Sequence, residues 1–189
     1  MAQVSTNELR QGMKVEIDNE PYNVVNIEFI KPGKGQAFNR LKLKNLISGR
    51  MLERTFKAGD KLAIADIVES NMRLLYIEIE GAVFMDDETF EQLSIGNNVI
   101  AAIRQWLKDD IVYGMVFYKG SVIEILPPTF MELVITETDP GVRGDTASGR
   151  VLKPAKLETG AEVQVPIFIN ESESIKVDTR TGEYVSRVS

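Results

Sequence analysis

The sequence predicts a mostly β chain folded as three consecutive small β-barrels, and three observations carry that expectation. Short apolar–polar alternations with the period of a strand recur from end to end, broken by Gly, Asn, Asp and Pro turn signals. Only residues 98–108 show a helical period, with Val99, Ile100, Ile103, Trp106 and Leu107 on one face. Two adjacent prolines, Pro127 and Pro128, interrupt the chain where no central strand can continue. At 189 residues and 43% hydrophobic, the chain can bury a core. The expected domains are 1–64, 65–128 and 129–189.

In the first region, residues 13–18 alternate and meet a turn at Asn19, Glu20 and Pro21. Residues 22–30 alternate again, 38–44 less regularly, and 51–56 form a further short strand after Ser48 and Gly49. Four or five short strands in about 60 residues fit an SH3-like barrel, and other small barrels fit the same pattern. In the second region, strands are expected at 72–80, 82–85, 111–118 and 122–126. The segment 86–93 is acidic and opens with a turn, and 98–108 is the helix. Strands plus one short helix fit an OB-type barrel. Trp106 reads as a core anchor rather than a stacking platform, because a single tryptophan on an apolar helix face usually packs. Beyond the prolines, strands are expected at 130–136, 163–169, 174–178 and 183–187, with a long polar loop over 139–150. These form a second OB-like set.

Residues 31–38, KPGKGQAF, lie between two alternating segments and read as a hairpin tip. Pro32 fixes its own φ, and Gly33 and Gly35 open conformations closed to other residues. Lys34 stands between two residues without Cβ atoms, so its ammonium projects from the tip on four methylenes. An ordinary solvated turn containing a lysine has the same composition.

The net charge of −6 argues against nucleic acid, but its distribution argues the other way. Residues 1–65 carry a net +4, residues 66–128 a net −7 and residues 129–189 a net −3. From 31 to 57 there are 8 Lys/Arg and one acid, Glu53. A local basic field meets phosphate regardless of the global sum, and Arg40 and Lys42 are the candidate contacts. The acidic middle third fits a region where tight RNA contact is not wanted.

Several classes fall away. The chain contains no Cys and no His. Disulfides, thiol chemistry and imidazole-based triads or metal sites are therefore absent, which suits a reducing compartment. The N-terminus has no secretory apolar run, and no stretch approaches the roughly 18 apolar residues of a membrane span. A cytoplasmic protein without a membrane partner is expected. Asp86, Asp87, Glu88 and Glu91 can be read as a carboxylate cluster for acid–base or Mg²⁺ chemistry, but a solvated acidic turn is the simpler reading. Gly33, Lys34 and Gly35 do not make a phosphate-binding Walker motif, because the earlier glycine and the following Ser/Thr are missing.

Four segments in order resemble the bacterial elongation factor P family over essentially the whole chain. They are KPGKGQAF at 31–38, DDETFEQL at 86–93, Gly144-Asp145-Thr146, and IKVDTRTGEYVSR at 175–187. The resemblance implies an SH3-like, KOW-like barrel followed by two OB-type barrels in an L-shaped, tRNA-like outline. It implies a non-catalytic, monomeric factor that binds both ribosomal subunits between the peptidyl-tRNA and exit sites. Such a factor relieves stalling at consecutive prolines. Lys34 matches the lysine that a modifying enzyme extends with a β-lysyl group in many members, and a lysine that stays unmodified fits the same sequence. The resemblance puts Pro32, Gly33, Lys34 and Gly35 towards the CCA end of peptidyl-tRNA. It puts Gly144, Asp145 and Thr146 at the exit-site codon and small subunit, and Tyr184 and Arg187 near the anticodon stem. No metal or dissociable cofactor is expected.

Overall fold

The computed structural model describes residues 2–140 and 151–188. The strands assemble into three sheets in sequence order. The first contains β1 (Gln3–Ser5), β2 (Lys14–Ile17), β3 (Glu20–Ile30), β4 (Phe38–Asn45), β5 (Met51–Lys57) and β6 (Lys61–Ile64), in the spatial order β1-β6-β2-β3-β4-β5. The second contains β7 (Ile67–Ile77), β8 (Gly81–Met85), β9 (Gln92–Gly96), β10 (Val112–Tyr118) and β11 (Ser121–Leu126), in the order β11-β10-β7-β8-β9. The third contains β12 (Phe130–Thr138), β13 (Leu152–Leu157), β14 (Glu162–Pro166), β15 (Ser174–Asp178) and β16 (Glu183–Arg187), in the order β14-β13-β12-β15-β16. Pro127 and Pro128 separate the second sheet from the third, as their missing N–H groups require.

The chain divides into two compact units. One is residues 1–70 with 115–124; the other is 71–114 with 125–189. The tip of the β10–β11 hairpin therefore packs with the first sheet. In the first unit, Val15, Val24, Leu41 and Leu43 are fully buried, with Ile27, Leu52 and Phe56 packed around them. Thr6, just after β1, accepts from Gly59 N and donates to Lys57 O, while its N–H donates to Asp60 O. These bonds draw the end of edge strand β1 towards the end of edge strand β5, curling the sheet.

In the second unit the core runs from Met131, Leu133 and Ile135 of β12 through Leu157, Val163, Val165 and Ile169 to Ile175 and Val177 of β15. Trp106 belongs to the same cluster, which confirms it as a core anchor. Phe84 and Tyr113 pack edge to face with ring centroids 5.7 Å apart. The Tyr113 hydroxyl donates to Trp106 O at 2.7 Å and accepts from Lys108 N, and burial pushes its pKa up to about 12.

The expected helix is mostly a different helix. One α-turn, α1 (Asn97–Ile100), leads into a 3₁₀ segment, Ala101–Trp106. The buried residues are Ile100, Ile103 and Trp106, a spacing of three. A helix of 3.0 residues per turn puts all three on one line, whereas 3.6 would spread them around the axis. The first sheet also has six strands rather than four or five, because β1 and β6 were not expected.

Candidate functional site

The β3–β4 hairpin is built like a mast. Ile30 pairs with Phe38 at its top, and the register runs down through Glu28↔Arg40, Asn26↔Lys42 and Tyr22↔Asn45, with a bulge between Val24 and Asn26. Towards the base, Val24, Leu41 and Leu43 are inside the core. Towards the top the hairpin leaves it, and Phe29 is 59% exposed. The base of the tip is pinned by polar contacts instead. Buried Asn39 donates to Asn7 Oδ1 at 3.1 Å, and Ala58 N donates to Ala37 O at 2.9 Å. Asn39 explains the irregular alternation of β4. It occupies an inward position where a hydrophobe is expected, and it is satisfied by a second amide. That interruption was the available signal for Asn39; Asn7, in a turn 32 residues earlier, has none.

Pro32, Gly33, Lys34 and Gly35 form the tip. Among the described residues no hydrogen bond holds Lys31 to Gln36, and Lys34 is exposed. The two glycines differ. Gly35 has φ of +110°, where an L side chain is strained, and its missing Cβ would sit 3.8 Å from the Pro32 ring. Gly33 has no such φ and open space around it, so its contribution is lack of bulk beside Lys34.

Arg40, Lys42 and Lys44 share the exposed face of β4, alternating with buried Asn39, Leu41, Leu43 and Asn45. The face is less basic than the run of sequence implies. Glu28 of β3 lies 3.6 Å from Arg40, and Glu53 of β5 lies 3.5 Å from it. Arg54 is paired with Asp18. Lys42 faces Asn26 on one side and Glu53 on the other, with no ion pair among the described residues.

Tyr184 and Arg187 both lie on edge strand β16. Tyr184 is half-buried against the core and lines a groove with Leu152, Phe168 and Val185. Arg187 reaches Glu173 at 3.4 Å and stays largely exposed. Gly144, Asp145 and Thr146 lie outside the described residues. The hairpin thus gathers Pro32, Gly33, Lys34, Gly35, Arg40 and Lys42, and β16 gathers Tyr184 and Arg187.

The acidic segment is a turn. Asp86 accepts from Glu88 N at 2.8 Å and Thr89 N at 2.9 Å, and these N–H donors hold its carboxyl below the usual range. Asp87 is gripped in a two-point pair by Arg73, which lowers its pKa. Among the described residues no group of three or more Asp or Glu is arranged to hold a metal ion.

The fold defines a class: a KOW-like barrel joined to OB-type barrels. It is similar to eukaryotic translation initiation factor 5A from Methanococcus jannaschii, with a TM-score of 0.54 and 24% identity over 66% of this chain and 95% of that one. It is also similar to a translation initiation factor eif-5a family protein from Naegleria fowleri, with a TM-score of 0.51 and 15% identity over 66% and 97%. At these identities the likeness concerns the fold alone.

Three family models match in order: the elongation factor P KOW-like domain at 5–62, the elongation factor P OB domain at 67–125, and elongation factor P, C-terminal, at 131–187. Over 100% of both chains, this chain is 62% identical to elongation factor P 2 of Protochlamydia amoebophila. On the same full coverage it is 60% identical to elongation factor P 2 of Chlamydia pneumoniae and 61% to that of Chlamydia muridarum. The chain belongs to the elongation factor P family of translation elongation factors.

Proposed function

We propose that this protein binds both ribosomal subunits between the peptidyl-tRNA and exit sites and promotes peptide-bond formation where consecutive prolines stall the ribosome. Proline is a poor nucleophile because its ring restricts its geometry. A factor that orders the peptidyl-tRNA end can lower that barrier by positioning alone, without acting as a catalyst itself. The observation that carries this reading is the contrast within the hairpin. Lys34 is exposed on a loop without hydrogen bonds, while Asn39 and Ala37 pin the base. A free cation on a fixed mount suits delivery of one charge to one point. A modifying enzyme extends Lys34 with a β-lysyl group, which adds reach and a second ammonium towards the CCA end. Pro32, Gly33 and Gly35 keep the approach open, and Arg40 and Lys42 meet phosphate. Gly144, Asp145 and Thr146 face the exit-site codon, and Tyr184 and Arg187 the anticodon stem. The protein works as a cytoplasmic monomer of three domains, 1–64, 65–128 and 129–189.

Lys34→Ala tests this directly. Thermal stability should stay within the small range of surface substitutions, about 0.5 kcal/mol, while relief of stalling on a three-proline reporter is lost. A reporter rescued equally by the variant and the wild type refutes the role of Lys34. Intact mass of the protein from its native host should exceed the sequence mass by one β-lysyl group. An unshifted mass removes the modification and leaves the role of the lysine standing.

A further inference from the structure

The third sheet buries a lysine. Along β13 the inward positions are Lys153, Ala155 and Leu157, and the last two belong to the core. Lys153 is 7% exposed, and among the described residues no carboxylate pairs with it. A charge at such a position costs free energy that an apolar side chain of the same length does not. Against that cost stands one contact among the described residues. Lys153 Nζ donates to Asp139 O at 2.6 Å, from the start of β13 to the residue just past the end of β12.

That contact stands where the backbone ladder has run out. β12 and β13 pair as far as Thr138↔Ala155. The next residue of β13 towards its start is Pro154, which has no N–H to give to β12. Side chains take over from there. Thr138 Oγ1 donates to Pro154 O at 2.8 Å, and Lys153 Nζ satisfies Asp139 O. On the other side of β12, Glu171 Oε1 accepts from Thr138 N at 3.2 Å. Three side chains therefore fix the points at which the chain leaves β12 and enters β13. The segment between those points carries Gly144, Asp145 and Thr146.

We propose that Lys153, supported by Thr138, is a positioning residue for engagement with the small subunit: it holds the two ends of the segment 141–150 so that Asp145 is delivered from a fixed mount. This rests on the reading above that Gly144, Asp145 and Thr146 face the exit-site codon. Ends already fixed spare the complex the entropy of fixing them on binding. The buried ammonium thus serves binding at the expense of folding, which an apolar side chain in its place would favour.

The test uses the full chain and purified ribosomes. Lys153→Met keeps the length of the side chain and removes the donor, and Asp139 is exposed, so its carbonyl can turn to water. The unfolding midpoint should hold or rise, because a buried charge has gone. Ribosome affinity should nevertheless fall, by about three- to tenfold. Thr138→Val removes the neighbouring tie and should weaken affinity in the same direction. A double-mutant cycle tests the route. Lys153→Met, and likewise Thr138→Val, should cost less affinity in an Asp145→Ala background than in the wild type. An unchanged affinity for Lys153→Met, losses that simply multiply with that of Asp145→Ala, or a fall in affinity that tracks a lowered midpoint each overturns the proposal and leaves the role of Asp145 standing. If Asp145→Ala alone binds as tightly as the wild type, the reading of the segment falls, and this proposal with it.

Discussion

Tyr118→Phe removes one oxygen from the contact that fastens the β10–β11 hairpin tip to the first sheet. The Tyr118 hydroxyl lies 2.8 Å from Glu16 Oε2 and 3.1 Å from Asn19 O. It has one proton to give, and the closer, ionised carboxylate is the stronger acceptor. Lys119 Nζ completes the site at 3.0 Å from Glu16, and the Glu16 side chain is only 8% exposed. Phenylalanine preserves the ring packing, so the change isolates one hydrogen bond to a charged group, worth about 1.5–3 kcal/mol. Asn19 is exposed and its carbonyl can turn to water, so the loss falls on Glu16. With a denaturant slope of about 1–3 kcal/mol/M, the urea midpoint should fall by roughly 1 M. A pH series checks the charge. The Tyr118 hydroxyl and then Lys119 hold the Glu16 carboxyl below the usual range. The stabilisation from a lowered carboxylate pKa is fully present above the unfolded value, about 4.3, and is lost as pH falls through the lower folded value. Glu16→Gln should therefore destabilise at neutral pH, and its difference from the wild type should vanish in acid. An unchanged midpoint for Tyr118→Phe, or a Glu16→Gln deficit that persists in acid, refutes the reasoning.

Three other single substitutions have defined outcomes. Gly81→Ala should destabilise by about 1–3 kcal/mol or more in urea unfolding, because its Cβ meets the Ile95 carbonyl and the Gly96 backbone, which cannot rotate away; a loss below about 0.5 kcal/mol would mean that β8 and β9 separate freely there. Lys42→Gln should lower the log–log salt slope of ribosome binding by about 1. Arg40→Gln should lower it less, since Arg40 must leave Glu28 and Glu53 before it meets phosphate; equal slopes for Lys42→Gln and the wild type would mean that the β4 face does not touch RNA.

What was legible in the sequence depended on strand length and on distance along the chain. β15 and β16 were read to the residue because β15 alternates cleanly and the Thr179–Gly182 turn marks where β16 begins, although Tyr184 and Val185 stand side by side there. β1 was missed because three residues with one apolar member carry no period. β9 did have a signal, Leu93 and Ile95, hidden by the acids before it. β13 was hidden by Pro154. That proline is tolerated because β12 pairs only as far as Thr138↔Ala155, so Pro154 faces a neighbour on the β14 side alone. The tip itself was plain, since glycine, proline and lysine act locally. Its mount was not: Asn39 meets Asn7 across 32 residues, and Tyr118 meets Glu16 across 102.

Charge shows why sequence windows and surfaces disagree. The window 31–57 counted one acid, yet Glu28, just outside it, sits beside Arg40, and Asp18 binds Arg54. Antiparallel pairing folds the acids of β3 and β5 onto the bases of β4, so part of the basic excess is spent within the sheet. In the acidic stretch 66–128 the arithmetic runs the other way. Its four bases are all engaged: Arg73 on Asp87, Arg104 on Asn97, Lys108 on Glu158 and Lys119 on Glu16. Glu78 and Glu80 are left facing solvent around Ile79. Among the described residues Lys34, Lys42 and Lys44 are exposed cations without an ion pair, and Glu78 and Glu80 are exposed acids without one.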